Sequence, residues 1–129
     1  MTLEEKFAIL CHKIAFADGE SSDAELAKVI SITRANDLNV DAVCEAWDDD
    51  CENPHDMIAV AKEVTDDNER DLIFFAMGRM AAADGILKIK ELNRMFFVTD
   101  AWEWAPGYVV MMIARMLKKY PELQVEGVE

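Results

Sequence analysis

The sequence predicts an all-α protein of about seven helices. Apolar residues recur at intervals of three and four, and no stretch shows the strict alternation of a half-buried strand. Helix-start signals precede most of these periodic stretches. One phrase, A-D-G followed by five residues and E-L, also occurs twice. A repeated helical unit has an apolar face that it cannot cover alone, so we expect two related helical hairpins to pack about a pseudo-twofold axis.

Each predicted helix has a recognisable start. Side chains of Ser, Thr, Asn and Asp accept hydrogen bonds from a first turn, and proline fits the first helical position. The starts are Thr2 with Glu5, Ser22 with Glu25, Asn39, Asn53 with Pro54, Asp66 with Glu69, a stretch marked by Ile89, Leu92 and Phe96, and Ala105 with Pro106. The expected ends are Gly19, Trp47 before the polar break "WDDDCENP", Val64, Gly85, and Tyr120 before a frayed tail, "ELQVEGVE".

The repeat is longer than the phrase itself. Residues 7–32 align with residues 73–98 without a gap. The identical pairs are Ala15/Ala81, Ala17/Ala83, Asp18/Asp84, Gly19/Gly85, Glu25/Glu91 and Leu26/Leu92. We therefore predict one domain over residues 1–129, divided into repeat one (about 3–36), an acidic connector (about 37–65), and repeat two with a final helix (about 66–120).

Charge and composition narrow the classes of function. The net charge is −13, and residues 41–71 alone hold twelve acids and two bases. Such a field repels phosphate backbones, which argues against nucleic-acid binding. No apolar run approaches the ~20 residues that span a bilayer, so direct membrane insertion is not expected. The N-terminus "MTLEEKFAIL" lacks a basic leader, and three cysteines without framework spacing indicate reduced thiols and a cytoplasmic location.

The aspartates of the doubled phrase stand at electrostatically unfavourable places. A helix C-terminus carries partial negative charge, yet Asp18 and Asp84 both precede the glycine that ends a predicted helix. In one interpretation these acids, with Glu25 and Glu91, are helix caps or partners of basic side chains. In the other, Asp18, Glu25, Asp84 and Glu91 together bind Ca²⁺, Mg²⁺ or Mn²⁺, which prefer oxygen ligands.

Two copies of "ADG-x5-EL" separated by an acidic helical connector resemble the tellurite-resistance TerB family. The chain is also similar to the N-terminal domain of membrane-anchored DnaJ-like co-chaperones. The resemblance covers about Phe7 to Leu117 and implies an all-α fold with internal pseudo-symmetry. It further implies a non-enzymatic role in stress or metal-ion response beside a membrane-associated protein partner. The family's acidic motif residues would fall on the four acids named above.

Other candidate sites have weaker support. Cys51 and His55 lie in the segment "WDDDCENPHD" and are candidate zinc ligands, but no second pair with zinc spacing exists. The same acidic cluster with His55 would serve a small hydrolase only inside an apolar pocket, which its polarity argues against. Cys11 and His12 are helical neighbours that point apart, so they form no catalytic pair. We therefore predict that the protein is not an enzyme.

Two apolar groups are candidate contact surfaces. Six of the eight methionines lie between Met77 and Met116, where they either fill the core or line a groove for a partner helix. Trp102, Trp104 and Tyr108 either close one end of the bundle or anchor an interface.

These observations lead to one functional expectation and one alternative. The expectation is a non-enzymatic acidic binding module that acts through protein partners, with divalent cations as a second ligand. The alternative is a purely structural interaction or dimerisation domain, in which the motif acids are helix caps; a homodimer is compatible with both. The sequence assigns no direct role with tellurite.

Overall fold

A computed structural model of the chain describes residues 1–16, 23–81 and 85–125. Within them the chain forms seven helices and one small parallel sheet, which confirms the predicted class. The helices are α1 (Leu3–Ala15), α2 (Asp23–Ala35), α3 (Val40–Glu52), α4 (Met57–Lys62), α5 (Asp67–Ala81), α6 (Ile89–Ala101) and α7 (Pro106–Lys119). The strands are β1 (Ile86–Leu87) and β2 (Gln124–Val125).

Several predicted helix starts are confirmed. Thr2 Oγ1 accepts from the N–H of Glu5 at 3.2 Å, and Glu5 returns the bond, so α1 opens with a full capping box. Asn39 accepts from the first turn of α3 at 2.9 Å, and Asp66 caps α5 at 3.0 Å. Ala105 and Pro106 begin α7 as predicted. The predicted cap Ser22 and the predicted helix end Gly19 lie outside the described residues.

The boundary after α3 was predicted wrongly. The segment "WDDDCENP" is not a break, because α3 continues through its acids to Glu52. Asn53 ends that helix by donating its N–H to Asp49 O at 2.7 Å, and the next helix begins later, capped by Asp56. The acids are tolerated because Asp48 and Asp49 face solvent, while the buried Asp50 has donors from elsewhere in the fold.

The described part of the segment after α7 departs from the prediction of a frayed tail, and residues 126–129 of that predicted tail lie outside the described residues. Leu123 is buried, and Gln124–Val125 pairs in parallel with Ile86–Leu87. Gln124 N also donates to Gly85 O at 2.9 Å. Gly85 has a φ of +81°, the left-handed conformation that glycine adopts cheaply. Strands of two residues are too short to show any periodicity in the sequence.

Helix α1 is the centre of the core. Every residue from Phe7 to His12 is buried, as are Ile14 and Ala15. This helix packs against α3, α4, α5 and α6. Because it is covered on all sides, its polar residues need partners inside the protein.

The internal repeat is larger than the two hairpins predicted from the sequence. It spans three helices in each half, so that α1–α3 correspond to α5–α7 at the same 66-residue offset. Asn39 and Ala105 are the equivalent N-caps of α3 and α7. Asp37 and Glu103, also equivalent, both have a positive φ, of 56° and 59°. The segment predicted as a connector therefore contains the third helix of repeat one.

The two repeats fill the equivalent helix junction, α1 with α3 and α5 with α7, with different side chains. His12 of α1 corresponds to Gly78 of α5, and Asp50 of α3 corresponds to Met116 of α7. In repeat one the imidazole meets the carboxylate. In repeat two the Met116 thioether lies directly over Gly78, where a Cβ would overlap its sulfur. One half thus fills this place with a polar pair and the other with an apolar side chain.

Substituting Gly78 by Ala tests this close approach. Although Ala favours a helix by about 1 kcal/mol over Gly, overpacking against the buried Met116 costs about 1–3 kcal/mol. We expect a net loss in the free energy of unfolding, measured by chemical denaturation. The control is Gly107→Ala in α7, where no atom lies within 4 Å of the added Cβ. A Gly78→Ala variant as stable as the control would contradict the packing described.

Candidate functional site

The four acids predicted to bind a cation are only partly described by the structure. Asp18 and Asp84 lie outside the described residues. Glu25 and Glu91 occupy the same third position of α2 and α6, and each is partly buried. Glu91 Oε1 accepts from the N–H of Lys88 at 3.0 Å. A lysine ammonium cannot accept in return, so only this half of a capping box forms.

A buried carboxylate at the junction of α1 and α3 is the strongest polar feature of the described residues. The Asp50 side chain is fully buried. Its Oδ2 lies 2.5 Å from His12 Nδ1 and 3.1 Å from Lys13 Nζ. Its Oδ1 accepts from the backbone N–H of His55 at 2.7 Å and contacts His55 Nδ1 at 2.9 Å. Four donors from two separate segments therefore converge on one side chain.

These donors determine the protonation state of Asp50. Burial alone would raise the pKa of the carboxyl, because a charge loses its hydration. The hydrogen bonds from His12, from the backbone and ring of His55 and from Lys13 outweigh that effect, and they lower the pKa well below its ordinary value of 3.8. Asp50 is therefore an anion in the protein interior at neutral pH.

His12 connects this carboxylate to a thiol. A carboxylate only accepts, so His12 Nδ1 donates to Asp50 and Nε2 faces the other way. Cys51 Sγ lies 3.2 Å from that Nε2. The edge of Trp47 and the face of Phe16 pack against the ring, with centroids at 4.7 and 5.6 Å, and hold its orientation. The structure thus brings Cys51, His12 and Asp50 into one chain of contacts.

An acidic groove lies beside this cluster. Its volume is about 600 Å³, between the start of α1 and the exposed face of α3. Four of its acids recur at helical spacing on α3 and a fifth comes from α1: Glu45, Asp48, Asp49, Glu52 and Glu5. His55 also lines the groove, 3.7 Å through Nε2 from Asp49 Oδ2. This surface holds four of the twelve acids of residues 41–71.

The zinc and apolar candidates have other roles. His55 contacts Asp50 and Cys51 contacts His12, and the described residues hold no group of three or more His, Cys, Asp or Glu arranged for a metal ion.

Five of the six methionines between Met77 and Met116 are buried, so they fill the core. Trp102 donates to Ala61 O at 2.9 Å, and the Trp104 ring makes tilted contacts with Phe74 and Trp102 and an edge contact with Tyr108, so these aromatics pack within the fold.

Sequence reasoning missed the contact of His12 with Asp50 and Cys51. The partners lie 38 and 39 residues away, so no local spacing reveals them. One signal was present in the sequence, because His12 interrupts a run of apolar residues that the helical period places in the core. A buried histidine there needs a polar partner, and α3 supplies one in Asp50.

An all-α protein with an internal three-helix repeat and an acidic exposed face is the class that these features define. Residues 4–104 match the family model described as "Tellurite resistance protein TerB". The match covers most of the chain, so the chain belongs to the TerB family. No curated protein and no solved structure matches it significantly. None of the helices in the described part of the chain is both long and apolar enough to cross a membrane.

The lowered pKa of Asp50 predicts a loss of stability in acid. Below the ordinary Asp pKa the unfolded chain binds the proton more readily than the folded protein does. The contribution of Asp50 is therefore complete at neutral pH and is lost progressively as the pH falls from about 5 towards 2. Asp50→Asn should lower the free energy of unfolding by about 3 kcal/mol at pH 7 and flatten the acid dependence.

The control for this prediction is the neighbouring, exposed Asp49. Asp49→Asn should change the free energy of unfolding by less than about 0.5 kcal/mol. Urea denaturation of the three proteins between pH 7 and pH 3 measures both effects. An Asp50→Asn variant with the acid dependence of the unaltered chain would contradict the assignment.

Proposed function

We propose that the protein is a non-enzymatic acidic binding module of the tellurite-resistance and stress-response TerB type. In this proposal it acts in the cytoplasm through a protein partner, which is itself membrane-associated, and takes divalent cations as a second class of ligand. Family membership and the acidic groove support the first part. The repeated motif acids support the second.

The acidic groove is the feature that supports a protein partner. Glu45, Asp48 and Glu52 lie on one exposed face of α3, and Glu5 of α1 faces them across the groove. Acids of one sign on both walls attract a partner segment rich in Lys or Arg and repel acidic surfaces. Charge complementarity of this kind raises the rate of association and sets the register of the partner.

A peptide of consecutive lysines is a suitable probe of the groove. Added to ¹⁵N-labelled protein at low salt, it should shift the amides at the start of α1 and along α3. Neutralising two groove acids by Glu45→Gln and Glu52→Gln should raise the dissociation constant about fivefold, since exposed charge pairs contribute up to about 1 kcal/mol in total here. The matched control is Glu103→Gln with Glu122→Gln, which removes the same charge outside the groove. Equal weakening by both pairs would contradict a groove-specific site.

The cation proposal rests on the repeated acids rather than on a described cluster. Glu25 and Glu91 are equivalent in the two repeats, and Asp18 and Asp84 stand seven residues before them. If the pseudo-twofold arrangement brings the equivalent turns together, four carboxylates share one site. Hard cations such as Ca²⁺, Mg²⁺ and Mn²⁺ would bind there through oxygen alone.

Titration with Mn²⁺ separates this proposal from the structural alternative. A bound ion should broaden NMR signals confined to residues 18–25 and 84–91, whereas broadening spread over residues 41–71 would indicate counterion attraction only. Glu91→Gln should lower the affinity about tenfold. It should leave the free energy of unfolding within about 0.5 kcal/mol, because Gln still accepts from Lys88 N. Glu103→Gln is the exposed control, and unchanged affinity in Glu91→Gln would contradict the site.

The alternative is a purely structural interaction or dimerisation domain. It is favoured by the hydrogen bond from Lys88 N to Glu91, which is an ordinary helix cap. Exposed apolar side chains on one side of α6, Ile89, Phe96 and Phe97, offer a surface for such contacts. In that case the Mn²⁺ titration gives no localised broadening and the chain self-associates.

A further inference from the structure

Cys51 places a thiol at the surface against a buried imidazole. It is exposed in the last turn of α3, and its Sγ lies 3.2 Å from His12 Nε2. Across the same ring, His12 Nδ1 lies 2.5 Å from Asp50 Oδ2. Thiol, imidazole and carboxylate therefore follow one another from the surface into the core.

This order suits proton transfer from the thiol. In the tautomer that keeps the proton on Nδ1 towards Asp50, the Nε2 lone pair of His12 faces the Cys51 S–H. Transfer of that proton gives a thiolate beside an imidazolium, and the Asp50 carboxylate stabilises the imidazolium. A thiolate, not a thiol, is the nucleophile in cysteine chemistry.

The second repeat shows that the fold does not require this cluster. The places of His12, Asp50 and Cys51 are taken there by Gly78, Met116 and Leu117. Met116 is fully buried over Gly78, so an apolar side chain closes the equivalent junction. Replacing a buried ionic group by packed apolar residues is often neutral or stabilising. Packing alone therefore does not explain why repeat one keeps a polar junction.

The negative charge around Cys51 favours one class of reactant. Cys51 sits at a helix C-terminus, whose partial negative charge opposes a thiolate. Asp48, Asp49 and Glu52 add negative charge nearby on the same helix. These charges repel anionic reactants and leave small neutral electrophiles favoured. Among the described contacts, the one that favours a Cys51 thiolate is the contact with His12.

We propose that Cys51 is a site of oxidation by hydrogen peroxide or a small neutral hydroperoxide, activated by His12, with Asp50 positioning the imidazole. The Cys51 thiolate attacks one peroxide oxygen, so that an S–O bond forms and the O–O bond breaks. The sulfur is oxidised by two electrons to a sulfenic acid, and the peroxide is reduced. The leaving hydroxide or alkoxide takes the proton from His12 Nε2 and departs as water or an alcohol.

The other two cysteines are poorly placed to consume the product. Cys44 lies seven residues earlier on α3, about 10 Å along the helix, which exceeds the reach of a disulfide. Cys11 is fully buried, and burial raises the pKa of its thiol, so it is inert. The sulfenic acid therefore persists until a thiol from another molecule reduces it. The event is a stoichiometric modification that requires no turnover, so it is compatible with a binding module.

The test measures peroxide oxidation of each cysteine at pH 7 with a sulfenic-acid-specific dicarbonyl probe and peptide mass spectrometry. An ordinary cysteine is a few per cent thiolate at this pH, so pairing with an imidazolium should speed Cys51 about tenfold. Unfolding the unaltered chain in urea should therefore slow Cys51 about tenfold. Cys44, whose pKa is raised by burial and by Asp48 and Asp41, should instead react faster when unfolded.

His12→Asn is the matched variant. The Asn amide can still donate to Asp50 from the position of Nδ1, but it has no group at the position of Nε2. Cys51 in this variant should lose the tenfold advantage, while Cys44 is unaffected. Cys51→Ser confirms the assignment of the labelled peptide. If His12→Asn does not fold, the native and urea rates of the unaltered chain still decide the matter.

Two results would overturn the proposal. One is a native Cys51 that reacts no faster than the same residue in urea, since exposure alone cannot make a native thiol faster than an unfolded one. The other is a folded His12→Asn variant with the full rate at Cys51. Either would reduce the Cys51 contact to a neutral hydrogen bond within the core of repeat one.

Discussion

The buried Asp50 carboxylate is the strongest constraint on how α1 and α3 pack in repeat one, because this charge must be compensated once it is present. Its charge is removed from water, and that cost is offset only if several donors reach it at once. His12 and Lys13 come from α1, whereas the His55 donors come from the turn after α3. Satisfying one side chain therefore fixes the approach of α1 to α3 and the course of the chain beyond Glu52. The same contact orients the imidazole that faces Cys51.

The two repeats share the same order of helices but differ in their junction residues and surface charge. Equivalent caps, equivalent left-handed residues and equivalent buried positions hold α1–α3 and α5–α7 in the same order. In the part of the chain that the structure describes, the polar junction and the acidic groove lie in the first half, while residues 72–129 carry equal numbers of acids and bases. The duplicated helices form a common core. Divergence at positions such as His12/Gly78 and Asp50/Met116 leaves the polar side chains in repeat one.

Local signals in the sequence predicted the fold class, most helix starts and the existence of a repeat. Thr2, Asn39 and Asp66 act within their own turns, so their roles are readable from neighbours. The polar junction was not readable, because His12 and Asp50 meet only after the helices pack. The helices that follow Asn39 and Ala105 were predicted, but their equivalence as the third helix of each repeat was not, because equivalent positions such as Asp50 and Met116 carry unrelated side chains. The expectation that the carboxylates of Asp18 and Asp84 are compensated in three dimensions stays a prediction, because both residues lie outside the described residues.

The pairing of β1 with β2 has a mechanical consequence. The backbone N–H of Gln124 donates to the carbonyl oxygen of Gly85, the left-handed residue between α5 and α6. Residues 124 and 125 are thus bonded through the main chain to residues 85–87, which belong to the second copy of the doubled phrase. Cleavage of the chain near Leu123 would therefore disconnect Gly85 and β1 from α7, because β2 is the segment that joins them to this helix.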